Sequence, residues 1–293
     1  MLGRGLMLGR RLMLGRGLLA SVALAAALGM AIADACAAGD GPYPAWAGGW
    51  VRLRDGKHGN WDPDKPRGLG QEAPLTPEYL AHYAKNLADQ ARGGQGENEG
   101  YRCLPHGMPR IMNADHPIFF AITPEATYMM RDVANQFRRV YTDGRDWPAQ
   151  VPHSANGYSI GQWLDTDGDG RFDTLVIETR GLKSPHSYDS SGLPFHADDA
   201  AIIKERLSID KVDPEFMLNE IIVIDHALTR PWTVTRRYHH VLDPKWVEYF
   251  CAEDNHHVVI GQQDYLVSES GYLMPTRKDQ PPPDLRNFQR AGK

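Results

Sequence analysis

The densest chemical signal in this 293-residue chain is Asp165-Thr-Asp167-Gly-Asp169-Gly170-Arg171-Phe-Asp173. Carboxylates at loop positions one, three, five and nine converge hard oxygens on one point. Gly170 allows the tight turn at position six, and Arg171 at position seven would offer its carbonyl. This is the opening of a calcium loop. The twelfth position is Val176 instead of a bidentate glutamate, and strand-like stretches flank the run. The pattern therefore matches the shorter calcium loops of extracellular proteins, where plentiful calcium makes weak affinity sufficient. An ion here would stiffen a hairpin and not catalyse. The competing reading is an acidic turn without an ion.

A second group of acids sits inside apolar, strand-like runs: Glu178, Glu205, Glu220 and Glu248. Alternation puts Leu218, Glu220, Ile222 and Ile224 on one face. An acid on a core face must be paired, protonated or lining a cavity, since an isolated buried charge is too costly. The four are expected to converge inside a barrel with Arg139, Arg206 or Arg230. There they would supply a general acid and a general base, provided that neighbours split their pKa values. A structural lattice of ion pairs is the competing account.

Histidines number twelve, none in an H-x-H or H-E-x-x-H pattern. The adjacent pairs His239-His240 and His256-His257 offer at most one ring each to a shared face, a weak basis for a transition-metal site. His106 and His196 lie in loop-like stretches and are the acid–base candidates, because imidazole titrates near neutral pH. No phosphate loop, dinucleotide fingerprint or haem-attachment pair occurs, and no organic cofactor is expected. Gly157-Tyr-Ser-Ile-Gly161 superficially matches a nucleophile elbow but lacks the helix that must follow.

These groups need a frame. Thr76 as cap, Pro77 at the first helical position and Glu78 in the first turn start a helix that Gly93-Gly94 ends. Its stripe of Leu80, Tyr83, Ala84, Leu87, Ala88 and Ala91 reads as a packing face. Short β-branched and aromatic runs follow, separated by Pro, Gly, Asp and Asn. They are 118–122, 127–131, 137–141, 158–164, 174–180, 201–209, 216–225, 232–240 and 247–252. No crossover helices intervene, so the expected class is all-β and mainly antiparallel, a barrel or sandwich with one N-terminal helix. Residues 38–74, rich in Gly, Pro and Trp, read as an irregular arm wrapped on the body through Trp46, Trp50 and Trp61. Residues 75–275 form the single β-rich domain, and 276–293 a loose tail.

The first 37 residues read as a signal peptide. Three near-copies of one hexapeptide carry arginines and no acid, an uncharged run from Leu18 to Ala33 follows, and Ala35-Cys36-Ala37 offers a cleavage site. The apolar run is short for a spanning helix, so no stable membrane insertion is expected after cleavage. Arg10-Arg11 loosely matches a twin-arginine signal, though the Sec route fits better. The expected location is periplasmic or secreted. Cleavage takes four arginines and one acid from totals of 32 and 37, leaving 28 basic and 36 acidic residues and a net charge near −8. With no basic cluster, nucleic acid is excluded as a partner. Cleavage also removes Cys36, and Cys103 and Cys251 then pair most simply as a disulfide, a free nucleophilic thiol being the alternative.

Taken in order, Cys103-Leu-Pro-His-Gly-Met-Pro-Arg110, Arg138-Arg-Val-Tyr-Thr-Asp-Gly-Arg145, Gly157-Tyr-Ser-Ile-Gly-Gln-Trp163, Asp173-Thr-Leu-Val-Ile-Glu-Thr-Arg180, Ile203-Lys-Glu-Arg206, Ala227-Leu-Thr-Arg-Pro-Trp-Thr-Val234 and Glu248-Tyr-Phe-Cys251 resemble a family of secreted bacterial proteins without an assigned activity. The resemblance covers residues 75 to 260. It implies one β domain and carries over no catalytic role. Many relatives have only a short Gly-Asp turn in place of Asp165–Asp173, so calcium would belong to a subgroup. The expected function is cofactor-free acid–base chemistry on a small organic molecule, of lyase, isomerase or hydrolase type. The barrel cavity would be lined by Trp163, Trp232 and Tyr249. The alternatives are a ligand-binding or accessory protein stiffened by calcium, and a structural protein with a filled core.

Overall fold

The computed structural model describes residues 41–53, 73–113, 116–132, 136–184, 186–254, 256–261, 263–284 and 286. The expected signal peptide, Trp61 and the end of the tail lie outside them. The chain divides into two units, 1–45 and 46–293. Of the first, residues 41–45 are described and have no regular structure.

The second unit is a closed barrel of nine strands in sequence order. They are β1 (Gly49–Arg52), β2 (Ile118–Ile122), β3 (Ala126–Arg131), β4 (Gln136–Tyr141), β5 (Tyr158–Leu164), β6 (Thr174–Arg180), β7 (Ile202–Ile209), β8 (Phe216–Ile224) and β9 (Trp232–Val241). β1 closes the ring by pairing antiparallel with both β2 and β9. A ring of strictly alternating directions needs an even number of strands, so nine force one parallel neighbour. That pair is β4–β5, with Val140 opposite Ser159. Parallel neighbours need a crossover, here residues 142–157. Side-chain stacking fixes the crossover at both ends: Arg145 lies 3.7 Å from the Tyr141 ring centre, and Arg180 lies 4.3 Å from that of Trp147.

The interior is filled. Inward-facing Leu175, Ile177, Ile203, Leu207, Ile221 and Val223 are all buried, as a barrel of this size permits. A polar layer crosses the middle. Arg138 Nη2 donates to Glu205 Oε2 at 2.5 Å and to Thr179 Oγ1 at 2.8 Å, while Asn219 Nδ2 donates to Glu205 Oε1 at 3.1 Å. Satisfied on several sides, such a pair is tolerated; removing one partner would strand a buried charge at about 3–5 kcal/mol. Gly161 is required here by space, since a Cβ would lie 2.7 Å from Val140 Cγ1. Trp163 donates to Thr127 Oγ1 and packs on Trp46, while Trp232 packs edge-on to Tyr188. Two of the three aromatics expected to line a cavity are therefore core.

Several expectations change. The N-terminal arm is not wholly irregular: it supplies β1, and Trp46 and Trp50 are buried. Helix α1 (Pro77–Ala91) starts as expected, with Thr76 Oγ1 accepting from the Tyr79 amide. Its docked face is polar, however. Asn86 is its buried residue and donates to Gly192 O at 2.8 Å, and Gln90 donates to Ser190 O, whereas Leu80, Ala84 and Ala88 face solvent. Residues 247–252 are not a strand; a single helical turn α2 (Cys251–Asp254) begins there. Three further strands, β10 (His257–Ile260), β11 (Gln263–Val267) and β12 (Leu273–Pro275), form a separate small sheet. The start of the tail docks on it, Thr276 Oγ1 donating to Asp264 O at 3.0 Å.

Candidate functional site

The four glutamates do not converge. Glu205 lies inside the barrel, its side chain fully shielded and paired with Arg138 instead of any arginine expected to meet it. Glu178 is on the outer face, 2.5 Å from Arg180 and 3.5 Å from Lys204. Glu220 is exposed on the outer face of β8, and Glu248 is exposed before α2. Arg139 stacks outside on Tyr128, and Arg206 and Arg230 are also exposed. β8 reads Phe-Met-Leu-Asn-Glu-Ile-Ile-Val-Ile, apolar on both faces, so alternation alone could not decide which set enters the core. Met217, Asn219, Ile221 and Val223 do.

The acidic run forms the β5–β6 hairpin. Asp165 accepts the Gly168 and Gly170 amides at 2.7 and 2.9 Å, and the Arg171 amide donates to Asp169. Asp165, Asp167 and Asp169 each place an oxygen within 4.8 Å of the others. Asp173 stands apart, bonded to Thr166 at 2.5 Å, and Lys211 approaches Asp167 and Asp173 at 3.9 and 3.8 Å.

The opposite end of the barrel holds the richer chemistry. There Cys103 and Cys251 are joined by a disulfide, with Cα atoms 5.5 Å apart. A 3-10 turn (Glu99–Arg102), capped by Asn98, leads into Cys103, and a second (Arg110–Asn113) follows the loop. Buried Glu99 fixes both, accepting from Arg110 Nη1 at 2.9 Å and from Ser187 Oγ at 2.6 Å. Gly107 sits at φ +61°, and a Cβ there would meet Ala155 O at 2.2 Å, so the loop admits only glycine. His186 anchors it from below through Met108 O at 2.7 Å.

This clamping half-buries His106. Desolvation, then the positive charges of Arg110 and Arg131, push its pKa down to about 3. The ring is therefore neutral at physiological pH, which corrects the expectation of a histidine titrating near neutrality. A base this weak abstracts protons poorly, but it retains a donor and an acceptor for hydrogen bonding.

His106 borders a cleft of about 350 Å³ beside the disulfide. Leu104, Phe137 and Phe250 form an apolar rim, 44%, 61% and 48% exposed, with half-buried Tyr249 behind. Gln136, at the start of β4, is only 8% exposed, yet among the described residues neither its amide nitrogen nor its oxygen has a hydrogen-bond partner. Asn156 donates to Phe137 O at 3.0 Å and leaves its own Oδ1 unpartnered among the described residues. An unpaired buried amide costs about 1–3 kcal/mol per group, so most buried amides are satisfied. Gln136 and Asn156 carried no sequence signal, because a lone amide in a strand start or loop belongs to no motif.

His196 occupies the β6–β7 connection at this same end, its ring 5.4 Å from Tyr79 and its Nδ1 3.0 Å from Asp198 Oδ2. The sequence reading missed its neighbour His226. No protein-family model matches this chain, and no curated protein does either.

Proposed function

We propose that this is an exported protein that binds a small organic molecule in the cleft beside the disulfide, without turnover. The observation that carries the reading is the buried Gln136 amide, unpaired on both atoms among the described residues, beneath an aromatic rim. A planar ligand with a carboxamide or lactam edge would pair with both Gln136 atoms once that side chain turns into the cleft it borders, while its ring lies among Phe137, Tyr249 and Phe250. The volume suits a ligand at the small end of the usual range, about 300–1,000 Å³. Neutral His106 adds a hydrogen bond and does not serve as a base. Binding is favoured over acid–base catalysis because the four glutamates lie apart.

Export is supported by the N-terminal pattern and by a disulfide that persists best in an oxidising compartment. The resemblance to the secreted family suits the same cleft, since two resembling segments, Cys103–Arg110 and Glu248–Cys251, supply its walls. Calcium at Asp165, Asp167 and Asp169 is proposed as a stiffener of the remote hairpin.

Native mass spectrometry of the protein purified from periplasm tests these points together. The wild type should retain an organic mass that Gln136→Leu loses with its disulfide intact, and Asp165→Asn should lose calcium adducts. Absence of any retained mass, together with no hits in ligand-observed NMR against aromatic carboxamides and lactams, would sink the binding proposal.

A further inference from the structure

Away from the cleft walls, two loops bring together a second set of donor atoms. His196 and Asp198 come from the β6–β7 connection, and His226 from the turn between β8 and β9. Asp198 Oδ2 lies 3.0 Å from His196 Nδ1 and 2.5 Å from His226 Nδ1. All three donor atoms fall within 4.8 Å of one another. The two rings stand edge to face at 87°, with centres 5.6 Å apart, so they approach the carboxylate from different directions. Ligand atoms of a tetrahedral zinc ion, with bonds of about 2.0–2.1 Å, are themselves about 3.3 Å apart. The spacing here needs only small adjustments to reach that value.

Two details separate this group from an ordinary surface cluster. Among the described residues, His196 Nδ1 is buried without a well-formed hydrogen bond, although the Asp198 oxygen that binds His226 Nδ1 at 2.5 Å is only 3.0 Å away. One carboxylate oxygen thus stands between the two rings, within ligand spacing of both. The supporting frame is also built. Asp225, 8% exposed, accepts the main-chain amides of His196 at 3.0 Å and Ala227 at 2.8 Å through one oxygen, tying both loops to each other. Ser184 Oγ donates to His196 O, and Asp199 accepts the Ser184 amide at 2.6 Å. Ligand-bearing loops held in this way are already organised before an ion arrives.

We propose that His196, Asp198 and His226 form a site for a divalent transition metal of the zinc class. Two imidazoles and one carboxylate suit borderline ions such as Zn²⁺ or Co²⁺ better than calcium, which prefers oxygen alone. Three protein ligands leave a coordination position for water, and His226, with 71% of its side chain exposed, sets that position at the solvent boundary.

The test is isothermal titration of the metal-stripped full-length mature protein with Zn²⁺, and with Co²⁺ followed by visible absorption. One ion should bind per chain, with cobalt bands of a four- or five-coordinate site, and excess calcium should not displace it. His226→Ala and Asp198→Asn, both at exposed side chains, should weaken binding at least tenfold with circular dichroism unchanged. His239→Ala, exposed on the outer face at the far end of β9, should have no effect. Failure of Zn²⁺ to bind stoichiometrically would overturn the assignment, as would affinity unmoved by the two site substitutions or lost with His239→Ala.

Discussion

A histidine with a pKa of about 3 couples stability to pH in a definite direction. Its ordinary value is 6.5, so between pH 6.5 and 3 the unfolded chain takes up a proton at His106 that the folded chain refuses. Stability therefore rises with pH across that window and falls as pH is lowered through it. His186, pushed the same way chiefly by burial, adds to the effect. Each pH unit within the window is worth up to about 1.4 kcal/mol per such group. His106→Gln should flatten the acid limb of a urea-unfolding series from pH 7 to pH 4, and an unchanged slope would show that the ring titrates normally. Histidine was legible in the sequence as a candidate, but its protonation was not. That depends first on burial of the ring and then on Arg110, Arg131 and His186, which only the folded loop brings near. The glutamates teach the same lesson: Glu205 and Glu220 sit in similar apolar runs, and one residue of parity sends one into the core and the other to solvent.

Elements were legible where one signal dominated. Eight barrel strands, β2 to β9, stand within about a residue or two of the runs expected for them, because β-branched and aromatic residues alternate between turn residues. β1 was missed because four residues in a Gly- and Trp-rich segment show no period, and β10 to β12 because they are short. The helix was placed correctly, while its buried face was misjudged, since it docks through Asn86 and Gln90 side-chain bonds that periodicity does not report. The disulfide was legible as a pairing; its consequence is structural. Residues 242–250 are irregular and mostly exposed, and they deliver Tyr249 and Phe250 to the cleft immediately before Cys251. The bond spans 148 residues, for which chain entropy gives roughly 4–5 kcal/mol, with about 2–5 typical on removal. Cys251→Ser should lower the unfolding free energy by about 2–5 kcal/mol, seen as a lower urea midpoint, and release the aromatic wall, so that any cleft ligand is lost as well. If the midpoint and ligand retention both match wild type, the disulfide is neither the stabiliser nor the clamp described here.

For the whole molecule, closure is the decisive property. A barrel has no free edge, but this one owes its closure to the shortest strand, which lies far in sequence from the rest. β1 contributes four residues, paired through Gly49–Arg52 to Tyr238–Val241 on one side and through Gly49 and Trp50 to β2 on the other. Its side chains continue inward: Trp50 stacks on His240 at 4.4 Å, and Arg52 Nη1 donates to Asn113 at 2.5 Å. Without β1, the edges of β2 and β9 would present unpaired amides and carbonyls, an invitation to pairing between molecules. Trp46, which seals the far end against Phe120 and Trp163, would go with it. Two truncated chains separate this from a general loss of the N-terminus. One beginning at Gly41 keeps the closing strand and should unfold in a single cooperative transition. One beginning at Leu53 lacks only twelve further residues, yet should lose that transition by circular dichroism and elute as aggregates on size exclusion. Equal melting temperatures for the two would mean that the eight remaining strands close without β1, and that the nine-stranded ring is not what holds the fold together.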